Sequence, residues 1–268
     1  LLVDHNAVLA FDDIPDSCLT KARELTMHYA HTSHGARVLQ GLSYLESQVD
    51  PVKYGYEVRT ATTEGLPSGT NVLRMYDGNP PETYITPEDY WYTADGISRT
   101  RNVANTGNYD YSMWAWCGQM TYTSYMTPYL TTLNDFEDDY SPGTRFILMT
   151  GHTDSSAWPA WQTNANTIRS YAQSNNMILF DYGDIELYDP EGRYYTYYTG
   201  TSVVPDGYDS CMWCSDWCDT HPSDCLNLPS CAHMTDYDSG LVCVHEGKAF
   251  WWMMARLAGW DGVAGHGC

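Results

Sequence analysis

The stretch LTMHYAHTSHG, residues 25–35, sets the pattern from which the fold can be predicted. Its first six residues have the short, mostly apolar character of a buried strand, and the polar residues that end in a glycine indicate a turn. Residues 36–48 follow with apolar side chains at helical spacing, which predicts an amphipathic helix. The basic unit is therefore a strand, a polar turn and a helix.

This unit recurs along the chain. Further strands are predicted over 109–116, 145–150 and 177–181, and they end in the polar turns WCGQ, TGHTD and DYGD. Further helices are predicted over 16–24, 127–137, 164–175 and 248–258. Strands that alternate with helices indicate a mainly parallel sheet that is covered on both faces. We predict a single α/β domain over residues 1–268 with three α/β/α layers, a Tyr-rich insertion at 51–98 and a disulfide-rich insertion at 190–243.

The composition excludes several classes of protein. The chain has 268 residues, of which 43% are hydrophobic, so wholesale disorder is excluded. It carries 13 Lys and Arg against 34 Asp and Glu, a formal net charge of −21, and such a chain is repelled by nucleic acid and by anionic lipid. The longest strongly apolar stretch, residues 249–255, is too short for a membrane span.

The nine cysteines indicate an oxidising compartment. Six of them fall between residues 211 and 243, in a loop-rich segment that needs cross-links, and we expect three or four disulfides. The alternative is a zinc knuckle made of Cys211, Cys214, Cys225 and Cys231. Because nine is odd, one thiol is left over. We expect Cys18 and Cys268 to bridge the two ends, and Cys117 to be the free thiol, buried in a strand.

The start of the chain shows no secretion signal, because residues 1–4 lack the basic and apolar regions of such a peptide. We therefore read the chain as a mature one that has lost its leader. Together with the cysteines, this predicts a secreted protein that is extracellular or located at the cell surface.

Polar groups cluster where the predicted strands end. Ligands of open α/β sheets bind outside the carboxyl ends of the strands, so these turns should line one crevice. A late histidine, ahead of the last helix, is expected to join them. The residues expected at this crevice are His31, Ser33, His34, His152, Asp154 and His233.

One reading of the crevice is a serine nucleophile. Ser33 lies at a strand-to-helix turn, where a nucleophile is exposed and helix N–H groups can stabilise an oxyanion. A serine hydroxyl needs a base to ionise it, and His233 is the candidate. The alternative for Ser33 is a helix cap.

The order of these parts resembles the SGNH/GDSL hydrolase superfamily. The resemblance implies Ser33 as nucleophile, Gly118 and Gln119 as the oxyanion block, and His233 as base. The family's Gly-Asp before the serine is His31-Thr32 here, and its acid before the histidine is replaced by Ser230, so the acid would be Asp224 or absent.

A closer resemblance is to a group of secreted bacterial proteins of uncharacterised activity. They share segments like HTSHG, MWAWCGQ, MTGHTD, DYGDIELYDPEG and KAFWWMMARLAGW. This likeness implies a shared fold and site without an activity.

A metal is the alternative occupant of the same crevice. His31, His34, His152 and Asp154 form a mixed histidine and carboxylate set that suits zinc or another divalent metal, which would activate a water molecule. A structural Ca²⁺ site is a further alternative at residues 189–192 and in the Asp-rich stretch 206–224. We favour no cofactor.

These observations together predict a secreted serine esterase that acts on esters of extracellular polysaccharide. His34, His152, Asp154 and Trp116 are expected to contact the substrate. The alternatives are a metal-dependent hydrolase or lyase, and a non-catalytic glycan-binding or surface protein. In the last case the Tyr-rich stretch 194–198 would be an exposed strand that binds glycan or mediates self-association.

Overall fold

The structure is a computed structural model that describes residues 1–198, 203–205 and 211–268. Its centre is a seven-stranded sheet in the order β1-β7-β6-β5-β2-β4-β3, in which every neighbouring pair is parallel. The strands are β1 (Leu2–Val3), β2 (Thr26–His31), β3 (Tyr56–Thr60), β4 (Leu73–Asp77), β5 (Tyr111–Ala115), β6 (Arg145–Met149) and β7 (Ile178–Phe180). A separate antiparallel pair joins β8 (Thr196–Tyr198) to β9 (Val203–Pro205).

Helices flank the sheet and give the predicted α/β architecture. They are α1 (His5–Leu9), α2 (Asp16–Ala22), α3 (Ala36–Tyr44), α4 (Ala94–Ala104), α5 (Met126–Tyr140), α6 (Trp158–Ser174), α7 (Tyr182–Glu186), α8 (Met212–Thr220) and α9 (Gly240–Leu257). One group packs around α9 and contains α1, α2, α3 and α7, whereas α5 packs against α4 and α6. In the part of the chain that the structure describes, none of the helices has the length and apolar character needed to cross a membrane.

The order of strands creates a switch point between β2 and β5. After β2 the chain runs to the edge strand β3 and returns to β4, which pairs with β2, and it then crosses to β5, β6 and β7 on the other side of β2. Doubly wound sheets bind ligands where the strand order reverses, because the two connecting loops diverge there and leave a crevice. The turns that follow β2 and β5 carry Ser33 and Cys117, so both residues flank this position.

The structure extends the predicted elements in three places. Residues 51–98, predicted as an insertion with short strands, supply β3 and β4 to the central sheet. Helix α6 begins six residues before the predicted start, and α9 begins eight residues before it. The first two turns of α9 contain two glycines, a histidine and a glutamate that are all buried, and this polar content hid the helix from a periodicity argument.

Four disulfides confirm the expected number. Cys18 pairs with Cys268, and Cys117 is the free cysteine, as predicted. The zinc-knuckle alternative is wrong, because its four cysteines are in disulfides: Cys211–Cys214, Cys218–Cys225 and Cys231–Cys243. Cys117 was expected inside a strand, but it lies just after the end of β5 and is half-buried.

Helices α3 and α9 touch through their backbones. A Cβ atom added to Gly41 would lie 1.8 Å from the carbonyl oxygen of Cys243, and one added to Gly247 would lie 2.5 Å from the carbonyl carbon of Gly41. Both positions therefore require glycine. This contact fixes Cys243, and through its disulfide Cys231, beside the helix that begins at the switch point.

A buried histidine links β2 to its neighbours. His28 Nε2 lies 2.7 Å from the carbonyl oxygen of Gly78, and Nδ1 lies 2.8 Å from Ser112 Oγ. Because a carbonyl only accepts, Nε2 carries the proton and Nδ1 accepts from the hydroxyl of Ser112. Burial lowers the pKa of His28 from 6.5 to about 4, although the bond to Gly78 and the charge of Asp77 oppose the shift.

We predict that the free energy of unfolding falls as the pH drops from 6.5 to 4. In this range the unfolded histidine takes up a proton that the folded one resists, which costs about 3 kcal/mol at this residue. Urea unfolding curves at several pH values measure the effect. His28→Gln should lower the stability at neutral pH but give a shallower dependence on pH, and equal slopes in both proteins would contradict the prediction.

Candidate functional site

A thiol, a hydroxyl and an imidazole meet at the switch point. The Sγ atom of Cys117 lies 3.1 Å from Nδ1 of His34 and 3.2 Å from Oγ of Ser33. Ser33 and His34 belong to the turn between β2 and α3, and Cys117 follows β5. The parallel pairing of β2 with β5, in register at His31 and Ala115, brings the two turns together.

Three histidines form a stack beside this thiol. The ring of His34 lies between those of His152 and His233, with centroids 3.6 Å and 4.1 Å away and interplanar angles of 11° and 10°. Burial, followed by the neighbouring His152, Arg37 and His233, lowers the pKa of His34 far below its ordinary value. Burial and Arg37 lower the pKa of His152 to about 4. Both rings are therefore neutral at physiological pH.

A buried ion pair positions the segments that carry the three histidines. Arg37, three residues after His34, places Nη1 2.5 Å from Oε1 of Glu186 and donates from Nε to the carbonyl oxygen of Ala232 at 2.8 Å. The other oxygen of Glu186 accepts from the backbone N–H of Thr153 at 2.8 Å. Ala232 precedes His233 and Thr153 follows His152. The Arg37–Glu186 pair therefore holds all three chain segments.

His233 is held in an unusual backbone conformation. Its φ angle is +62°, in the left-handed region that only a few per cent of non-glycine residues occupy, histidine more often than most. Ala232 is fixed on both sides, since its N–H donates to Oε1 of Gln40 at 2.8 Å and its carbonyl accepts from Arg37. The Cys231–Cys243 disulfide anchors the same segment to α9. Such strain persists where the surroundings impose it, which is typical of functional sites.

An open depression of about 500 Å³ gives access to the thiol. Its lining residues are Cys117, Gly118, Gln119, Thr121, Tyr122, Asp154 and Ser156. Oε1 of Gln119 accepts from the N–H of Cys117 at 3.2 Å, which fixes the side chain of Gln119 against the turn. The predicted residues Gly118, Gln119 and Asp154 thus lie together at this opening.

Other predicted site residues have different surroundings. His31 has Nε2 3.3 Å from Oδ1 of Asp77 and Nδ1 2.6 Å from the carbonyl oxygen of Thr32. Burial alone would lower the pKa of His31, but the bond to Asp77 raises it. Trp116 is 1% exposed and donates from Nε1 to the carbonyl oxygen of Met149, so it lies in the core below the crevice.

Two contacts matter for the predicted roles of Ser33 and Asp154. Oδ1 of Asp154 accepts from the N–H groups of Ser156 at 3.0 Å and Ala157 at 3.3 Å, which makes it the cap of the turn that leads into α6. Ser33 has its hydroxyl on the sulfur of Cys117, and within the described residues no hydrogen bond joins Ser33 to His233.

Cys117 is the functional candidate that sequence reasoning missed. It was treated as a leftover thiol, although two signals point to it. It is the unpaired cysteine of a chain whose other cysteines are cross-linked, and it directly precedes Gly118 and Gln119. Arg37 and Glu186 gave no local signal, because the two are 149 residues apart in the sequence.

Among the residues that the structure describes, two groups of side chains have the spacing for a metal ion. The ligand atoms of His34, Cys117 and His152 lie within 4.8 Å of one another, and Asp4, His5 and Asp184 form a second, half-buried group. The first group shares His34 and His152 with the predicted set, whereas His31 contacts Asp77 and Asp154 caps a turn. The rings of His34 and His152 are nearly parallel, so a metal in the plane of one lies outside the plane of the other until a ring turns.

Two of the predicted calcium ligands, Asp189 and Glu191, have protein partners. Oδ1 of Asp189 accepts from the N–H groups of Glu191 and Arg193, both at 2.9 Å, and Glu191 forms an ion pair with Arg193. Residues 206–210 of the Asp-rich stretch lie outside the described residues.

Comparison of this chain with protein-family models, with curated proteins and with solved structures finds no match.

We predict that Arg37→Met lowers the free energy of unfolding by about 3–5 kcal/mol, because it leaves the carboxylate of Glu186 buried without its partner. The double variant Arg37→Met/Glu186→Gln should lose less than the sum of the two single changes. Urea unfolding of all four proteins gives the coupling energy. A loss below about 1 kcal/mol, or strict additivity, would show that the pair does not organise the site.

Proposed function

We propose that the protein is an extracellular hydrolase that cleaves esters, with Cys117 as the nucleophile and His34 as the base. The observation that carries the proposal is the 3.1 Å contact between Cys117 Sγ and His34 Nδ1 at the switch point of the sheet. A nucleophile within hydrogen-bond reach of a base is the geometry that covalent acyl transfer requires.

The reaction follows from these positions. His34 takes the proton of the thiol as sulfur attacks the acyl carbon, and the alcohol leaves with that proton. Water then hydrolyses the thioester, with His34 as base again, and the acid and the thiol are released. Gly118 and Gln119 follow Cys117 in the chain and begin a short 3₁₀ helix. The first N–H groups of such a helix make no hydrogen bonds within it, so they can donate to the oxyanion that forms on the substrate.

The neighbours of His34 support this role. His152 and His233 flank the ring and are held by the Arg37–Glu186 pair and the Cys231–Cys243 disulfide. Burial lowers the pKa of His34, so the ring is neutral and its Nδ1 lone pair can accept the hydrogen bond of the thiol. The hydroxyl of Ser33, 3.2 Å from Sγ, is placed to donate to the thiolate.

Two properties of the whole chain support an extracellular location. Four disulfides form and persist in oxidising compartments. The resemblance to secreted bacterial proteins and to SGNH/GDSL hydrolases supports the same location.

The nucleophile differs from the one that the SGNH/GDSL resemblance implies. Here the thiol of Cys117, and not the hydroxyl of Ser33, contacts an imidazole.

We predict that Cys117→Ala lowers the hydrolysis of p-nitrophenyl acetate at least about 1000-fold, because it removes the nucleophile. Ser33→Ala should cost about tenfold or less, since it removes one hydrogen bond to the sulfur. Initial rates and trapping of an acyl-thioester by mass spectrometry measure both effects, and circular dichroism checks the fold. Full activity of Cys117→Ala together with an inactive Ser33→Ala would reverse the assignment in favour of a serine mechanism.

A metal-dependent hydrolase is the second candidate, because the ligand atoms of His34, Cys117 and His152 cluster within 4.8 Å. One thiolate and two imidazoles form a donor set that binds zinc. Dialysis against EDTA separates the two proposals: a thiol nucleophile keeps its activity, whereas a metal enzyme loses it and regains it with added Zn²⁺.

A further inference from the structure

Three tyrosines form a strip that starts at the opening of the site. Tyr122 is 58% exposed and lines the depression that contains Cys117. Its ring centroid lies 6.2 Å from that of Tyr125, which in turn lies 4.8 Å from that of Tyr92. Tyr92 is 44% exposed, so the strip leads from the thiol out onto the surface. We call Tyr122, Tyr125 and Tyr92 the tyrosine strip.

Two of the three tyrosines, Tyr92 and Tyr125, rest on a buried tryptophan. Trp91 is completely buried and makes edge contacts with Tyr92 at 5.7 Å and Tyr125 at 5.5 Å. The hydroxyl of Tyr125 donates to Oε1 of Glu88 at 2.9 Å. Rings that are already ordered lose little entropy when a ligand covers them.

Isolated exposed side chains are a different case. Tyr84, Val52 and Leu226 are exposed individually, which is normal for a protein surface. Tyr92 and Tyr122, in contrast, are joined through Tyr125 and are exposed beside a candidate reactive centre, and aromatic patches of this kind mark ligand-binding surfaces.

We infer that the tyrosine strip binds an uncharged polysaccharide chain and guides an ester group on that chain to Cys117. The C–H faces of sugar rings match the apolar faces of tyrosine, and the spacing between the tyrosine rings is comparable with the width of one sugar ring. Asp154 and Ser156 at the depression, and Glu88 beside Tyr125, offer hydrogen-bond partners for sugar hydroxyls.

The charge of the protein decides between neutral and acidic polymers. The formal net charge of −21 repels a polyanion, and Glu88 and Asp154 add negative charge at the strip and the depression. The polymer is therefore one without carboxylate or sulfate groups, such as a xylan, a β-glucan or a mannan.

The role of the tyrosine strip in guiding an ester to Cys117 rests on the proposed hydrolysis, but binding of the polysaccharide to the strip can be measured independently. Affinity electrophoresis through native gels with arabinoxylan, barley β-glucan or galactomannan detects binding, and polygalacturonate serves as the acidic comparison. The variants are Cys117→Ala, the double variant Tyr92→Ala/Tyr122→Ala, and Tyr171→Ala as the control. Tyr171 lies near the end of α6, thirteen residues beyond the start of that helix at the site.

We expect at least one neutral polymer to retard the wild type, Cys117→Ala and Tyr171→Ala equally. The double tyrosine variant should bind about tenfold more weakly, and polygalacturonate should not retard any of the proteins. Equal retardation of the double variant and the wild type, no retardation by any neutral polymer, or preference for polygalacturonate would overturn the inference. Binding through the strip with no esterase activity in the wild type would instead refute the proposed hydrolysis and leave a glycan-binding protein.

Discussion

The arrangement of the site depends on one buried ion pair, between Arg37 and Glu186. Arg37 lies on the first turns of α3, Glu186 ends α7, and their bonds to Ala232 and Thr153 reach two further segments. The positive charge of the buried Arg37 guanidinium needs one negative charge to balance it, and the carboxylate of Glu186 supplies that charge. Glu246, also completely buried, does not add a second negative charge, because burial and the neighbouring Glu186 raise its pKa well above the ordinary range. The pair is thus close to neutral as a unit while it ties the segments of Ala232 and Thr153 to α3 and α7.

The sequence predicted the site residues whose position follows from the strand pattern and from parallel pairing of the strands. The four strands that end in polar turns were predictable from short apolar runs, and parallel pairing then brings Ser33, His34, His152 and Asp154 to one edge without further information. The contacts among these residues were not predictable. His233 reaches the stack because Gly41 and Gly247 let α3 and α9 touch, and the sequence around Gly247 has no periodic pattern that reveals a helix.

The sequence also could not rank the thiol against the hydroxyl. Ser33 and Cys117 are 84 residues apart, and either can be a nucleophile beside an imidazole. The side of the His34 ring that faces the crevice depends on where strand β5 ends relative to strand β2. Only the register of the sheet defines that position. Trp116 illustrates the same limit, since the residue directly before Cys117 points into the core, where it packs at 5.3 Å against Trp91. Of these two consecutive residues, Cys117 therefore belongs to the site, and Trp116 belongs to the core that supports the tyrosine strip.

The disulfide between Cys18 and Cys268 has a mechanical consequence. It closes a covalent ring that contains β2 to β7 and every residue of the site. A tension that enters through the first residues and leaves through Cys268 would peel β1 from β7 and then pass directly through the sulfur–sulfur bond. The rest of the sheet would carry no load. A pull on Leu1 and Cys268 therefore leaves the geometry around Cys117 unchanged.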